Sequence, residues 1–404
     1  MAHDPQAALH KLVAYCRAND WAGHDPYDAL NSRLFKKLPF LNSRWPQIVL
    51  TQALKRSPIN VRSLFLVPKT QNPKALGLFL SAFVKLSEHQ LAERENLIEH
   101  MIERLMALRS NDNAHWCWGY SFPWQTRTIV VPVASPNLVC TTFVADALLD
   151  AYDQSNHKDE RCLKMAVSAA EYIRDVLYWE DGALSGFSYP LPGIRGTTHN
   201  ANLMAAALLC RVYRHNGDER FLPPAFRVAR YSAAMQRPDG SWWYGEGSTQ
   251  HWIDNFHTGY NLAALRAMGR YAETSEFDEV VRRGFAFYRA NFFRADGAAK
   301  YFHNQAYPLD IHCVAQSIIT LLDFQDLDPT SVAQARSVYE WAMDHMWDER
   351  GFFYYRVLRS CTIRTSYMRW SQAWMVLALA TLVADSNRAE TNAQAHEPAA
   401  LAKV

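Results

Sequence analysis

Apolar residues along the chain recur at helical spacing, and the helices they predict are of two kinds. One kind is apolar nearly all round: Leu76–Leu86, Pro136–Tyr152, Thr198–Tyr213, Asp254–Tyr271, Asp310–Phe324 and Ser366–Ala384. A helix without a polar face must be buried, so these form an inner layer. The other kind keeps a charged face: Asp159–Tyr178, Asp218–Met235, Glu276–Phe292 and Thr330–Met346, with Glu93–Ser110 before them. These belong outside, and an N-terminal helix at Pro5–Arg17 can complete their number.

Between outer and inner helices sits a recurring turn. DGALSGFSYP from Asp181, DGSWWYGEG from Asp239, DGAAKYFHN from Asp296 and ERGFFYYRV from Glu349 share one plan, a Gly turn leading into an aromatic run. The turn glycines Gly182, Gly240, Gly297 and Gly351 are spaced by 58, 57 and 54 residues, and HWCWGYSFPW (115–124) reads as a degenerate earlier copy. Helical hairpins of this period bury both faces only by stacking, and a closed ring leaves no exposed end. The expected fold is therefore all-α, an (α/α)6 barrel of six helical hairpins over residues 1–385, with short β-hairpins at one end. The polar, Ala-rich residues 386–404 are expected to be a disordered tail.

Because each repeat runs outer helix, hairpin, inner helix, the inner-helix N-termini converge on the hairpin end. Their free N–H groups favour an anion there. The residues at those starts are polar: Ser135 and Asn137; Thr198, His199 and Asn200; Asp254, Asn255 and His257; Asp310 and His312; Ser366, Tyr367, Arg369 and Trp370. Ser135, Thr198, Asp254, Asp310 and Ser366 each fit an N-cap. A cap does not call for a histidine behind it, yet His199, His257 and His312 all stand in a first turn.

The segment 240–260 concentrates chemistry: Trp242, Trp243, Tyr244, Glu246, His251, Trp252, Asp254, His257 and Tyr260. Asp254 and His257, three apart, share a helix face. Glu246 or Asp254 can serve as acid or base, and either can tune His257. An aromatic mini-core with satisfied polar groups is the bland alternative. His251, His257 and Asp254 match no standard zinc spacing, so neither metal nor cofactor is expected. Arg127, Arg195, Arg364 and Arg369 gather near the same end and suit a carboxylate or phosphate, while Trp116, Trp118 and Trp124 offer faces for sugar rings or for helix packing. In HDPYDALNS (24–32), Asp25, Tyr27 and Asp28 either cap a neighbouring helix or cover the mouth.

Composition narrows the function. The 42 basic and 40 acidic residues give a net charge of +2, which disfavours nucleic acid as a partner. No apolar run reaches the length of a membrane span, and the first residues lack the apolar block of a signal peptide, so a cytoplasmic location is expected. The seven scattered cysteines read as reduced, buried thiols.

The architecture resembles the α/α-barrel superfamily of six-hairpin glycosidases, uronate lyases, glucuronyl C5-epimerases, N-acylglucosamine 2-epimerases and terpenoid cyclases. DPYDALNS (25–32), HWCWGYSFPWQTR (115–127) and WIDNFHTGY (252–260) resemble a bacterial family found in exopolysaccharide and lipopolysaccharide gene clusters. That resemblance implies a role in polysaccharide biosynthesis or modification and supplies no catalytic residues. Gln236, Gly240 and Trp242 match the Q-x3-G-x-W repeat of terpenoid cyclases, a structural motif, and the aspartate-rich sequence of that chemistry is absent.

The expected function is a carbohydrate-active enzyme that abstracts a proton from an anionic, uronate-type sugar as a C5-epimerase or lyase. Its catalytic candidates are Glu246, Asp254, His257, Tyr244, His199 and Asp310. Substrate-binding candidates are Trp116, Trp118, Trp124, Arg127, Trp242, Trp243, Tyr260, His312, Arg364, Arg369 and Trp370. The alternatives are a glycoside hydrolase with paired carboxylates, a non-catalytic saccharide-binding or assembly component and, more remotely, a terpenoid-cyclase- or prenyltransferase-like enzyme.

Overall fold

The computed structural model describes residues 3–38, 43–111, 113–126 and 128–396, with side chains as far as 387. Among these residues fourteen helices form: α1 (Pro5–Ala18), α2 (Arg33–Lys36), α3 (Arg44–Arg56), α4 (Pro73–Lys85), α5 (Arg94–Ala107), α6 (Leu138–Gln154), α7 (Glu160–Tyr172), α8 (His199–Asn216), α9 (Leu222–Ala234), α10 (Asn255–Tyr271), α11 (Asp278–Asn291), α12 (Ile311–Asp323), α13 (Thr330–Met346) and α14 (Ala373–His396). The even-numbered helices from α4 to α14 pack side by side in a closed inner ring, α14 returning to α4. Around them stand α5, α7, α9, α11, α13 and α1, each against its inner partner. The chain is thus the (α/α)6 barrel expected from the alternation of apolar and amphipathic helices, and α1 fills the last outer place.

Three turn glycines show why the repeat needs them. Gly240, Gly297 and Gly351 have φ near +90°, and an added Cβ would lie within 3 Å of the carbonyl oxygens of Arg283, Ser337 and Lys11 respectively. Each turn therefore packs against the backbone of the next outer helix, α11, α13 and then α1, which only glycine allows. The Q-x3-G-x-W residues do the same stitching. Gln236 Nε2 donates to the Gly240 and Val280 carbonyls at 3.0 and 2.8 Å, and Trp242 Nε1 donates to the Ser232 carbonyl at 3.0 Å.

The inner helices are stitched at their starts. The first N–H of α8, α10 and α12 (His199, Asn255, Ile311) donates to the carbonyl of Tyr244, Tyr301 and Tyr355, each in the following repeat's hairpin. Met368 N, ahead of α14, donates instead to the His24 carbonyl, so residue 24 takes the hairpin's place where the ring closes.

Several boundaries differ from the sequence expectation. Asn137, not Ser135, caps α6 through Cys140 N at 2.9 Å. Thr198 makes no side-chain cap bond. Ser366 accepts from Gln372 Nε2 ahead of a π-helical turn, Met368–Gln372, that leads into α14. The last inner helix continues to His396, past Ser386 where the polar composition suggested an end, and residues 397–404 lie outside the described residues. Helix α3 was not foreseen. With α2 and a 3-10 turn at Asp28–Asn31 it builds a separate small core of Ala29, Leu54 and Val67.

Candidate functional site

A cavity of about 750 Å³ opens at the hairpin end. Every inner helix contributes from its N-terminal part: Lys74 from α4, Val139 from α6, Asn200 from α8, His257 and Tyr260 from α10, His312 from α12, and Arg369 and Trp370 from the turn before α14. The hairpins and the excursion before α4 add an aromatic wall that includes Tyr27, Tyr120, Trp124, Tyr189 and Tyr301. Four buried polar atoms of the lining residues have no protein partner: Trp124 Nε1, Gln125 Oε1, Asn200 Oδ1 and His312 Nδ1. A buried polar atom without a partner calls for an explanation, and a bound ligand or water is one.

Asp254 and His257 form its central pair. Asp254 Oδ1 caps α10 by accepting from His257 N at 3.0 Å, and Oδ2 lies 2.7 Å from His257 Nδ1. The Trp252 indole N–H also donates to Oδ2, at 3.1 Å. The Asp254 side chain is buried, whereas that of His257 is 21% exposed and lines the cavity. A carboxylate at Nδ1 keeps the proton there and leaves the Nε2 lone pair open to a ligand.

One turn further along α10, Tyr260 Oη lies 2.6 Å from His312 Nε2. Burial holds the Tyr260 phenol well above its usual pKa, so it stays protonated. Burial also drives the His312 imidazole well below the usual value, with Lys74, Arg369 and His257 adding to the effect. His312 is thus neutral, packed between Phe256, Trp370 and Trp374 with ring centroids 4.5–4.6 Å away. The His257 and Tyr260 rings are 6.0 Å apart, which places a base and a proton donor beside one space.

Two cations lie at the floor. Arg369 is held bidentate by Asp25, at 2.7 and 2.8 Å, and stacks over Tyr120. Lys74 differs. Its ammonium lies 4.0 Å from the Phe143 ring centroid and 5.4 Å from that of Trp374, and among the described residues no carboxylate pairs with it. Burial, then Arg369, pushes its pKa well below the usual lysine value. A ligand anion would reverse that penalty.

Of the residues singled out in the sequence, Tyr27, Trp124, Asn200, Tyr244, Trp252, Asp254, His257, Tyr260, His312, Arg369 and Trp370 line this cavity. The others do not. His199 is fully buried, with Nε2 on Glu246 at 2.8 Å and Nδ1 on Ser232 Oγ at 3.2 Å, so both ring nitrogens are taken and Glu246 is engaged outside the cavity lining. Asp310 is fully buried, capping α12 through His312 N and binding Arg356 and the Trp370 indole at 2.8 and 2.9 Å. Trp118 and Trp242 are helix-packing residues whose indoles bind the Leu105 and Ser232 carbonyls. Trp116 packs under Arg109, Trp243 stacks on His251 at 3.8 Å, and Arg364 lies over Tyr354. Arg127 is outside the described residues. In HDPYDALNS, Tyr27 walls the cavity against Trp370, while Asp25 and Asp28 are the buried partners of Arg369 and Arg62.

Among the described residues one cluster has three metal-ligating atoms within 4.8 Å of one another: Asp153, His157 and His215. It lies at the C-terminal ends of α6 and α8, away from the cavity, and Arg211 already pairs with Asp153 at 3.0 Å. No described helix is long and apolar enough to cross a membrane.

The chain is similar to cellobiose 2-epimerase from Bacillus thermoamylovorans, at 12% identity over 79% of this chain and 90% of that one, with a TM-score of 0.60. It is similar to a family 76 glycoside hydrolase, a mannosidase, from Bacteroides thetaiotaomicron, at 14% identity over 96% and 99% with a TM-score of 0.62. D-mannose isomerase aligns at 12% identity over 78% and 87% with a TM-score of 0.56. These structures share the (α/α)6 barrel with this chain. At these identities the likeness is one of fold. Neither protein-family profiles nor curated sequences give a match.

Proposed function

We propose that the protein is a carbohydrate-active enzyme that moves a proton on an anionic sugar, at the carbon next to a carboxylate, as a uronate C5-epimerase or lyase. The observation that carries this reading is the makeup of the cavity lining: one open imidazole nitrogen backed by a buried carboxylate, a neighbouring phenol, and cations, with Asp254 the single acid among the described residues. Glycoside hydrolysis uses two carboxylates on either side of the bond. Asp254 is committed to three donors, and neither Glu246 nor Asp310 lines the cavity.

In this reading His257 Nε2 takes the C5 proton and becomes an imidazolium, which the Asp254 carboxylate stabilises. The charge left behind spreads into the substrate carboxylate as an enolate, facing the Lys74 ammonium and the Arg369 guanidinium. Tyr260 gives a proton either to C5, completing epimerisation, or to the oxygen leaving C4 as the C4–C5 double bond forms. His312 Nε2 then holds the phenolate oxygen until solvent restores its proton. Tyr120, Trp124 and Tyr189 suit the faces of sugar rings. The resemblance of the blocks at 25–32, 115–127 and 252–260 to a family of bacterial polysaccharide gene clusters supports a role in polysaccharide biosynthesis or modification.

A second reading has the same chemistry beside a different group. The epimerase and isomerase neighbours make proton transfer next to the carbonyl of a reducing sugar the alternative. Incubation in D2O with uronate oligosaccharides, and separately with cellobiose and mannose, tests both. Deuterium at C5 supports the first reading and deuterium at C2 the second. New reducing ends without deuterium would replace both with hydrolysis, and saturable binding without any reaction would leave a binding protein.

A further inference from the structure

Residues 29–69 contain eight basic residues, Arg33, Lys36, Lys37, Arg44, Lys55, Arg56, Arg62 and Lys69, and no acidic one. Elsewhere the chain has 34 basic against 40 acidic residues, so this short excursion reverses the sign of the rest. Among the described residues only Arg62 of the eight is ion-paired, to Asp28. Fixed positive charge is thus concentrated on one excursion and left uncompensated.

The same excursion exposes large apolar side chains. Trp45 is 69% exposed, Ile59 70% and Leu64 74%, with Leu34, Val49 and Leu66 also open to solvent. Helix α3 is two-sided. Trp45, Val49 and Ala53, four residues apart, face outward, while Ile48, Thr51, Gln52 and Lys55 line the cavity. The small core beneath, Ala29, Leu54 and Val67, is already filled by other residues. Arg33 N donates to the Leu66 carbonyl, which keeps the exposed Leu34, Leu64 and Leu66 together.

We propose that residues 33–38 and 43–69 form a docking surface for an anionic lipid bilayer, which brings the cavity mouth to the membrane face. Exposed Trp and Leu interspersed with unpaired Lys and Arg match the boundary between headgroups and acyl chains. A second copy of this face would meet its own positive charge. Protein interfaces are depleted in lysine, whereas a fluid layer of anionic headgroups accommodates it. Since α3 presents one face to the bilayer and the other to the cavity, the docked mouth lies one helix away from the lipid. This inference does not depend on which sugar reaction the cavity performs.

The test is sedimentation of the full chain with vesicles of phosphatidylcholine alone and of phosphatidylcholine mixed with phosphatidylglycerol. Binding to the mixed vesicles, little to the neutral ones, and loss at high salt are expected. Lys37→Glu and Arg44→Glu should each lower partitioning by roughly fivefold or more. The pair Trp45→Ser and Leu64→Ser should lose binding even at low salt. Both substituted sites are exposed, so the melting temperature should hold and a folding defect is separable. No binding to phosphatidylglycerol vesicles, equal binding by all variants, or a concentration-dependent dimer abolished by the Trp45→Ser and Leu64→Ser pair would each overturn the proposal.

Discussion

Two acid–imidazole pairs stand in neighbouring repeats, and they are built alike but placed differently. Glu246 meets His199 at 2.8 Å and Asp254 meets His257 at 2.7 Å. Both histidines begin inner helices. His199 spends its other nitrogen on Ser232 and has no exposed surface, whereas His257 turns Nε2 into the cavity. A carboxylate partner orients an imidazole in either place. Only a nitrogen left open to the ligand can accept a proton, so the difference between the pairs is one of access.

The sharpest way to break this comparison is to remove the open imidazole. His257→Ala should lower kcat by about 10²–10⁴-fold while leaving the fold intact, since the side chain is at the cavity surface. Kinetics and a thermal melt read the two effects separately. A Lys74→Met variant should lower kcat/KM toward anionic sugars by about tenfold or more, through loss of a charge-assisted contact. It should also raise the melting temperature, because a buried amine that no carboxylate pairs with is replaced by an apolar chain of similar length. An active site that sacrifices stability in this way is expected where charge is kept ready for a ligand.

The closed pair should behave in the opposite sense. Glu246→Ala leaves a buried imidazole nitrogen without its partner and should cost about 1–3 kcal/mol of stability, measured by denaturant unfolding, with kcat nearly unchanged. The smallest effect is in pH. Burial holds both His199 and His312 below the ordinary histidine value of 6.5, against the pull of Glu246 on His199. The unfolded chain then binds more protons than the native one below pH 6.5. Stability contributed by these groups is present above 6.5 and is lost as pH falls. Melting temperatures from pH 7.5 downward should decline, and less steeply in a His312→Gln variant.

Much of this architecture was legible because repetition is a property of spacing. The glycines at 240, 297 and 351 and the apolar faces of the inner helices specify hairpins, and six hairpins close only as a ring. Asp254 and His257 were legible for a similar reason, as three residues on one helix bring them together. Direction was not legible. Glu246 lies in the same aromatic hairpin as Tyr244, yet the chain turns it toward His199, and no pattern in GSWWYGEG distinguishes the two outcomes. Lys74 was missed because it hides in an otherwise apolar helix. A lone lysine directly after Asn72-Pro73, at the polar end of a buried helix, is the signal that could have found it. Tyr120, Tyr189 and Tyr301 belong to separate hairpins, and only ring closure brings them to one wall. Helix α3 lacks acidic residues in its first turn and has no side-chain cap, so its sequence gave little sign of a start.

Access, and not pairing, separates His257 from His199. Solvent deuterium incorporation into the sugar, followed by NMR for the parent chain, His257→Ala and Glu246→Ala under one set of conditions, tests it directly. Exchange abolished in His257→Ala and retained within about threefold in Glu246→Ala is the predicted result, since a base is worth orders of magnitude and a remote pair is not. Equal losses in both variants, or exchange that survives His257→Ala, would contradict it.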